Sequence, residues 1–370
     1  MGRRILLPTL YLTEEYALVR RDSEDCLLVQ VPEKKGEGGA VVSQAYKKRI
    51  PLHKVDDVVV MGEITMTASA LYLLLEKNIE IHFLNYLGQF KGRLSPPLTK
   101  NSLLRMAQHR THNDMTRRCE LARRFVIGKL SNQRTMLQRH NRRQPDAALS
   151  QEIDHIAILI RDLTTLSVVT ENVQQLISGD TGIAGTPLET ILGLEGAGSA
   201  AYFRCFGKLL ADQEQWSFAG RVKRPPTDPV NALLSYGYAM LTSQVASSLQ
   251  MVGFDQYVGY LHSSTYGRPA LALDLMEEFR PIIVDSVVLT LLNNRMLTPN
   301  DFIVELGAYR LKKEPRKLFL TRFEERLNEE VTHPVFGYKV KYRRCIELQA
   351  RLIAKYLTGE IKEYPAFTSR

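Results

Sequence analysis

The sequence predicts an α+β protein in two parts: a small β-rich N-terminal domain over residues 1–97, then a larger all-helical domain over residues 98–358, with a C-terminal tail over 359–370. Three observations carry this prediction. Apolar residues alternate singly up to about residue 95, Pro96-Pro97 punctuates the chain, and beyond Leu98 the apolar spacing changes to that of a helix.

Tyr16 and Leu18, followed by Leu27, Val29 and Val31, alternate around the polar turn Arg21 to Asp25, which predicts a hairpin. Further strands are expected at Val41 to Ala45, Arg49 to Leu52 and Val55 to Met61. The last carries four successive apolar residues, the pattern of burial on both faces. Thr67 is placed to cap a short helix through Lys77, and Ile79, Ile81 and Phe83 alternate as a strand before a turn at Leu87-Gly88.

In the second part, Met115, Cys119, Ala122, Val126 and Leu130 form one apolar stripe, with Arg117, Arg118, Arg123, Arg124 and Arg134 mostly off it. That stretch reads as an amphipathic helix. A second helix is expected from about Ser150 to Ile177, stopped by Ser178-Gly179, and a third begins near Pro187 and carries Glu195. Asp228-Pro229 starts a fourth, because Asp caps and Pro suits the first turn. Helices near 270–292, 300–308, 315–331 and 338–358 complete the domain, and the tail after Thr358 has little to hold it in place.

Composition narrows the function. No run of about 18 uncharged apolar residues occurs, and Ile5 to Leu7 is too short for a signal-peptide core, so a cytoplasmic protein is expected. Cys26, Cys119, Cys205 and Cys345 are scattered, without the close pair of a zinc knuckle or a redox dithiol. They read as reduced structural thiols. The 49 Lys plus Arg against 40 Asp plus Glu give a formal charge of +9, yet residues 100–143 alone hold 12 basic and 2 acidic residues. Such a concentration predicts a polyanionic partner, since neutralised phosphates release counterions; a solvated basic helix is the alternative.

Leu192 to Gly198 sets Glu195 among three glycines in an apolar helix. Helical glycine costs about 1 kcal/mol relative to alanine, so close approach of another backbone or of a substrate phosphate is expected there, against tight packing with Glu195 merely exposed. Asp274, Glu277 and Glu278 follow His262 at a spacing that puts two carboxylates on one helical face among Leu271, Leu273, Leu275, Met276 and Phe279. A buried carboxylate needs a metal or an arginine, and Arg268 and Arg280 are the arginine candidates. One imidazole with two or three carboxylates suits Mg²⁺ or Mn²⁺ better than structural zinc, and beside a basic tract it suggests phosphodiester chemistry. No P-loop, HExxH or GxSxG motif is present, which argues against P-loop nucleotide hydrolysis, zinc proteolysis and serine hydrolysis.

Several blocks together resemble a known family. Gly193-Leu194-Glu195-Gly196 with Tyr202-Phe203, the stretch Arg224 to Tyr238, His262 followed by Leu273 to Pro281, then Tyr342-Arg343-Arg344 and Gln349-Ala350-Arg351, lie in the order of the CRISPR-associated endonuclease/integrase, the first of the two universal spacer-acquisition proteins. The resemblance implies a helical catalytic domain, a homodimer, and a larger complex in which such dimers flank a small ferredoxin-like partner. It also implies metal ligands Glu195, His262 and Glu277, with Asp274 assisting; spacing alone does not separate Glu277 from Glu278. The implied reaction is attack by the 3′-hydroxyl of a captured prespacer duplex on a CRISPR repeat. Arg117, Arg118, Arg123, Arg124, Arg221, Lys223 and Arg224 are expected on DNA phosphates. A stand-alone structure-selective DNase and a non-catalytic DNA-binding scaffold are the competing readings.

Overall fold

The computed structural model describes residues 9–35, 41–55, 57–85, 90–96, 101–168, 186–222, 225–262 and 265–369. The expected turn at Leu87-Gly88, the helix stop at Ser178-Gly179, and Lys223 and Arg224 lie outside them. Two compact units divide the chain, residues 1–98 and 99–370. No helix among the described residues is long and apolar enough to cross a membrane.

The N-terminal unit runs β1 (Leu10–Leu12), β2 (Leu18–Ser23), β3 (Cys26–Val31), β4 (Lys34–Lys35), β5 (Val41–Ser43), β6 (Tyr46–Pro51), β7 (Asp57–Met61), β8 (Thr65–Met66), α1 (Ala68–Glu76), β9 (Glu80–Leu84) and β10 (Phe90–Leu94). Strands β2 and β3 form the expected hairpin, with Val19 opposite Val29. One sheet has the order β6-β3-β2-β8 and another the order β1-β7-β9-β10. Strand β7 is central and parallel to both neighbours, and all five of its residues are buried, which explains its unbroken apolar run. A parallel neighbour requires a crossover connection, and α1 supplies it, with Thr67 Oγ1 accepting from the Ala70 amide. Val19, Leu27, Val29, Val58, Val60, Leu73, Leu74 and Ile81 form the core.

The second unit holds α2 (Ser102–Asn113), α3 (Met115–Arg143), α4 (Ala147–Thr165), α5 (Pro187–Phe206), α6 (Pro229–Val252), α7 (Ala270–Met276), α8 (Ser286–Asn293), β11 (Phe302–Glu305), β12 (Ala308–Leu311), α9 (Lys313–Asn328), β13 (Glu330–Thr332), β14 (Lys339–Lys341) and α10 (Tyr342–Leu357). Its caps follow the sequence: Asp114 opens α3, Asp146 opens α4, Thr186 and Glu189 form a capping box on α5, and Asp228 opens α6. Cys119, Ala122, Val126 and Leu130 are fully buried along α3, which lies against α4 and α5.

The predicted class holds, with four corrections. The second unit is not all-helical, because β11–β12 and β13–β14 are hairpins. The first replaces the helix expected at 300–308; Leu306 and Gly307 both have positive φ, the requirement of a tight two-residue turn, and a leucine there gives no turn signal. Helix α4 ends at Thr165 rather than Ile177. The helix expected over 270–292 is interrupted by a π turn over Pro281–Asp285, since Pro281 lacks the N–H that would continue the ladder. Finally, the tail is anchored: Tyr364 and Phe367 are buried, and Asn132 on α3 donates to the Phe367 carbonyl at 2.8 Å.

Candidate active site

Three separate segments supply the predicted residues. Glu195 stands on α5, His262 lies in the connection between α6 and α7, and Asp274 and Glu277 come from α7 and the turn that follows it. Gly198 lets α5 approach α3, for a Cβ there would lie 2.9 Å from Leu130 Cδ1. At Gly193 and Gly196 a Cβ would meet nothing within 4 Å. Tight packing therefore explains one glycine of the three, and at the other two the surface of α5 is open.

The connection bearing His262 is tied down on both sides. Gln108 on α2 donates to the carbonyls of Asp255 (2.7 Å) and Val258 (2.9 Å), and Arg118 on α3 donates to the Tyr260 carbonyl at 2.9 Å. Asp274, fully buried, accepts the amides of Tyr260 (2.5 Å), Leu261 (3.0 Å) and His262 (2.9 Å), and its Oδ1 lies 2.7 Å from His262 Nδ1. Because a carboxylate with this many donors only accepts, Nδ1 carries the proton and Nε2 is the ring's accepting nitrogen. Nε2 is 3.9 Å from Glu277 Oε1.

Glu277 is 2% exposed and pairs with Arg280 at 3.1 Å through Oε1 and with Lys129 at 2.8 Å through Oε2. Lys129, on α3, also pairs with Glu195, to which Ser199 donates at 2.9 Å. Burial alone would raise both carboxyls, yet the cations win. Lys129 holds Glu195 below the usual carboxylate range against the repulsion of Glu277, while Arg280 and Lys129 hold Glu277 at about 2. Glu278 does not join this group. Buried on the other side of the turn's chemistry, it accepts from Tyr364 (2.8 Å), the Phe367 amide (2.7 Å) and Gln349 (3.2 Å).

Sequence reasoning missed Lys129, which looks like any other member of the basic stretch; of its two arginine candidates, Arg280 pairs with Glu277. Among the described residues no three His, Cys, Asp or Glu stand close enough to hold a metal as they are. The donor set nonetheless fits one: two carboxylates already share a cation, the Lys129 ammonium, and an accepting imidazole nitrogen lies beside them.

Several arginines of the basic helix have partners inside the fold. Arg117 donates to the Tyr356 carbonyl at 3.3 Å, and Arg123 to those of Leu163, Thr164 (3.2 Å) and Leu166 (3.0 Å). Both guanidinium groups thus sit at the C-terminal ends of α10 and α4, where orphan carbonyls concentrate negative charge. Arg124 bridges Glu120 and Glu363, and Arg221 is spent on Asn231 (2.7 Å) and Ser235 (3.0 Å). Each of these arginines, expected on phosphates, has a partner within the fold, a carboxylate at Arg123 and Arg124 and neutral groups at Arg117 and Arg221. Arg110, Arg139, Arg142 and Arg143 are the exposed ones on α2 and α3.

Residues 10–325 match a family model described as CRISPR associated protein Cas1. The chain is 37% identical over 324 residues to the CRISPR-associated endonuclease Cas1 3 of Thermus thermophilus, covering 86% of this chain and 88% of that protein. It is also 37% identical, over 98% of its length, to a Cas4/Cas1 exonuclease–endonuclease fusion of Geobacter sulfurreducens, of which it spans only 60%. Among solved structures, a Cas1 protein from Thermotoga maritima matches with a TM-score of 0.74 at 25% identity, covering 98% of this chain and 99% of that one. A casposase bound to its integration product shares the fold, with a TM-score of 0.80 at 22% identity over 97% of this chain and 93% of that one.

Proposed function

The chain belongs to the CRISPR-associated Cas1 family, and from that premise we propose that it is a metal-dependent DNA integrase and endonuclease of CRISPR adaptation. It joins the 3′-hydroxyl ends of a prespacer duplex to the repeat by transesterification. The observation that carries this reading is one connected charge network, Glu195–Lys129–Glu277–His262–Asp274, assembled from residues scattered between positions 129 and 277.

Glu195, His262 and Glu277 would hold a Mg²⁺ or Mn²⁺ ion, which supplies polarisation of a phosphoryl oxygen and stabilises the charge that develops on it. The chain's own residues do the rest. Asp274 fixes the imidazole so that Nε2 faces Glu277, in place to ligate or to take the proton of the attacking hydroxyl. Arg280 holds Glu277 through Oε1, and the open surface at Gly193 and Gly196 leaves room for a DNA backbone along α5. We assign phosphate contacts to Lys223 and Arg224 and to the exposed Arg110, Arg142 and Arg143. A homodimer and a small ferredoxin-like partner complete the proposed assembly.

A half-site integration assay with Mn²⁺ tests the reading. Joining should vanish in Glu195→Ala and His262→Ala; undiminished products in both would sink the site. Cleavage without joining, even with the small partner present, would favour the DNase.

A further inference from the structure

We propose that Lys129 is a built-in cation that keeps the place of the divalent ion between Glu195 and Glu277, and that the ion displaces its ammonium on binding. The inference rests on the reading of Glu195, His262 and Glu277 as the ion's ligands, and goes beyond it in giving the metal-free protein a defined state of its own.

Lys129 has a side chain only 4% exposed, in the middle of a helix whose neighbouring Gly128 and Leu130 are buried. Lysine is among the side chains least often buried, because an ammonium gives up strong hydration and recovers it only from anions at close range. Here the anions are two, and they come from different elements, Glu195 of α5 and Glu277 after α7. Brought to one point without a cation they would repel, so the fold needs positive charge at that point whether or not an ion is bound.

The division of Glu277 between its cations shows which one can leave. Arg280 takes Oε1 at 3.1 Å and also lies over the Tyr238 ring, 4.7 Å from its centroid, which pins the guanidinium. Oε2 is buried, makes no hydrogen bond, and has Lys129 as its ion-pair partner at 2.8 Å. Withdrawal of Lys129 therefore frees Oε2 of Glu277 and leaves Oε1 of Glu195 with the Ser199 hydroxyl alone, while Arg280 stays. A flexible four-carbon stem allows that withdrawal without movement of α3. A divalent ion carries twice the charge and can bond the His262 nitrogen as well, an arrangement that a purely donating ammonium and its two carboxylates do not exploit.

Mn²⁺ binding by calorimetry at pH 8, on the full chain with and without Lys129→Gln, tests the competition. With the competitor gone, Kd should fall by about tenfold or more, the metal-free Tm should drop, and the rise in Tm on adding Mn²⁺ should grow. Equal or weaker binding by the variant overturns the proposal. If Lys129→Gln does not fold, a Mn²⁺-soaked crystal of the unaltered protein decides. An ion between Glu195 and Glu277 with Lys129 Nζ off both carboxylates is the expected result; an ion there with both pairs intact overturns it. Should no ion bind either protein, the ligand reading fails first and the displacement fails with it.

Discussion

Glu277 and Glu278 are adjacent in the chain and belong to different neighbourhoods. The first pairs with Lys129 at 2.8 Å and Arg280 at 3.1 Å; the second accepts from Tyr364 at 2.8 Å and the Phe367 amide at 2.7 Å. The turn that sets one carboxylate in the site thus uses the other to grip the C-terminal tail.

Burial pushes Glu278 up to about 8 from an ordinary 4.5, with the bonds from Phe367, Tyr364 and Gln349 opposing the shift. Below pH 4.5 both folded and unfolded chains hold the proton, and between 4.5 and about 8 only the folded chain does. Stability from this group therefore falls as pH rises through that window and levels off above it. Glu278→Gln, which removes the titrating proton, should gain stability relative to the unaltered protein between pH 5 and pH 8. Urea midpoints at the two pH values check this, and a gap that does not change with pH contradicts it.

Gly198 and Gly196 should respond oppositely to alanine. A methyl at Gly198 meets Leu130 and should destabilise by about 1–3 kcal/mol through overpacking of α5 on α3. Gly196→Ala meets nothing and should stabilise by up to about 1 kcal/mol through helix propensity. Thermal unfolding of the two variants gives the comparison; a joining defect in the stable Gly196→Ala protein would mark that face as the path of DNA.

Arg117→Gln and Arg118→Gln should cost stability, on the order of 1–3 kcal/mol each, because each removes a charged donor from a carbonyl inside the fold. The salt dependence of duplex binding should stay the same. A slope shallower by about one unit per residue would instead return these side chains to the DNA phosphates.

Asp274→Asn should leave the carboxylates of Glu195 and Glu277 in place and disturb the imidazole, since an amide cannot accept three amides and Nδ1–H as the carboxylate does. Joining should slow by roughly 10- to 100-fold. Single-turnover rates with Mn²⁺, read beside ion binding, measure it; an unchanged rate would make Asp274 a loop anchor alone.

Much of this was legible in the chain itself. The hairpin β2–β3, the doubly buried β7, the caps Asp228 and Thr67 and the stripe of α3 all follow from local periodicity and local hydrogen bonding, which the sequence states directly. The hairpin β11–β12 was hidden because Leu306 adopts a backbone conformation that leucine seldom takes, and only its surroundings impose it. Carboxylates and an imidazole in apolar segments marked Glu195, His262, Asp274, Glu277 and Glu278 as needing compensation, and only the family resemblance singled out Glu195, His262 and Glu277 among them. What the sequence by itself determined is therefore the order of elements and the acidic residues needing compensation. The tertiary structure decided which charge compensates which: Lys129 and Arg280 at Glu277, four donors at Asp274, the tail at Glu278, and helix C-termini at Arg117 and Arg123. Electrostatic partnership depends on distance in space, and a stretch with 12 basic residues over 100–143 gives no sign of which one will be enclosed by carboxylates from two other segments.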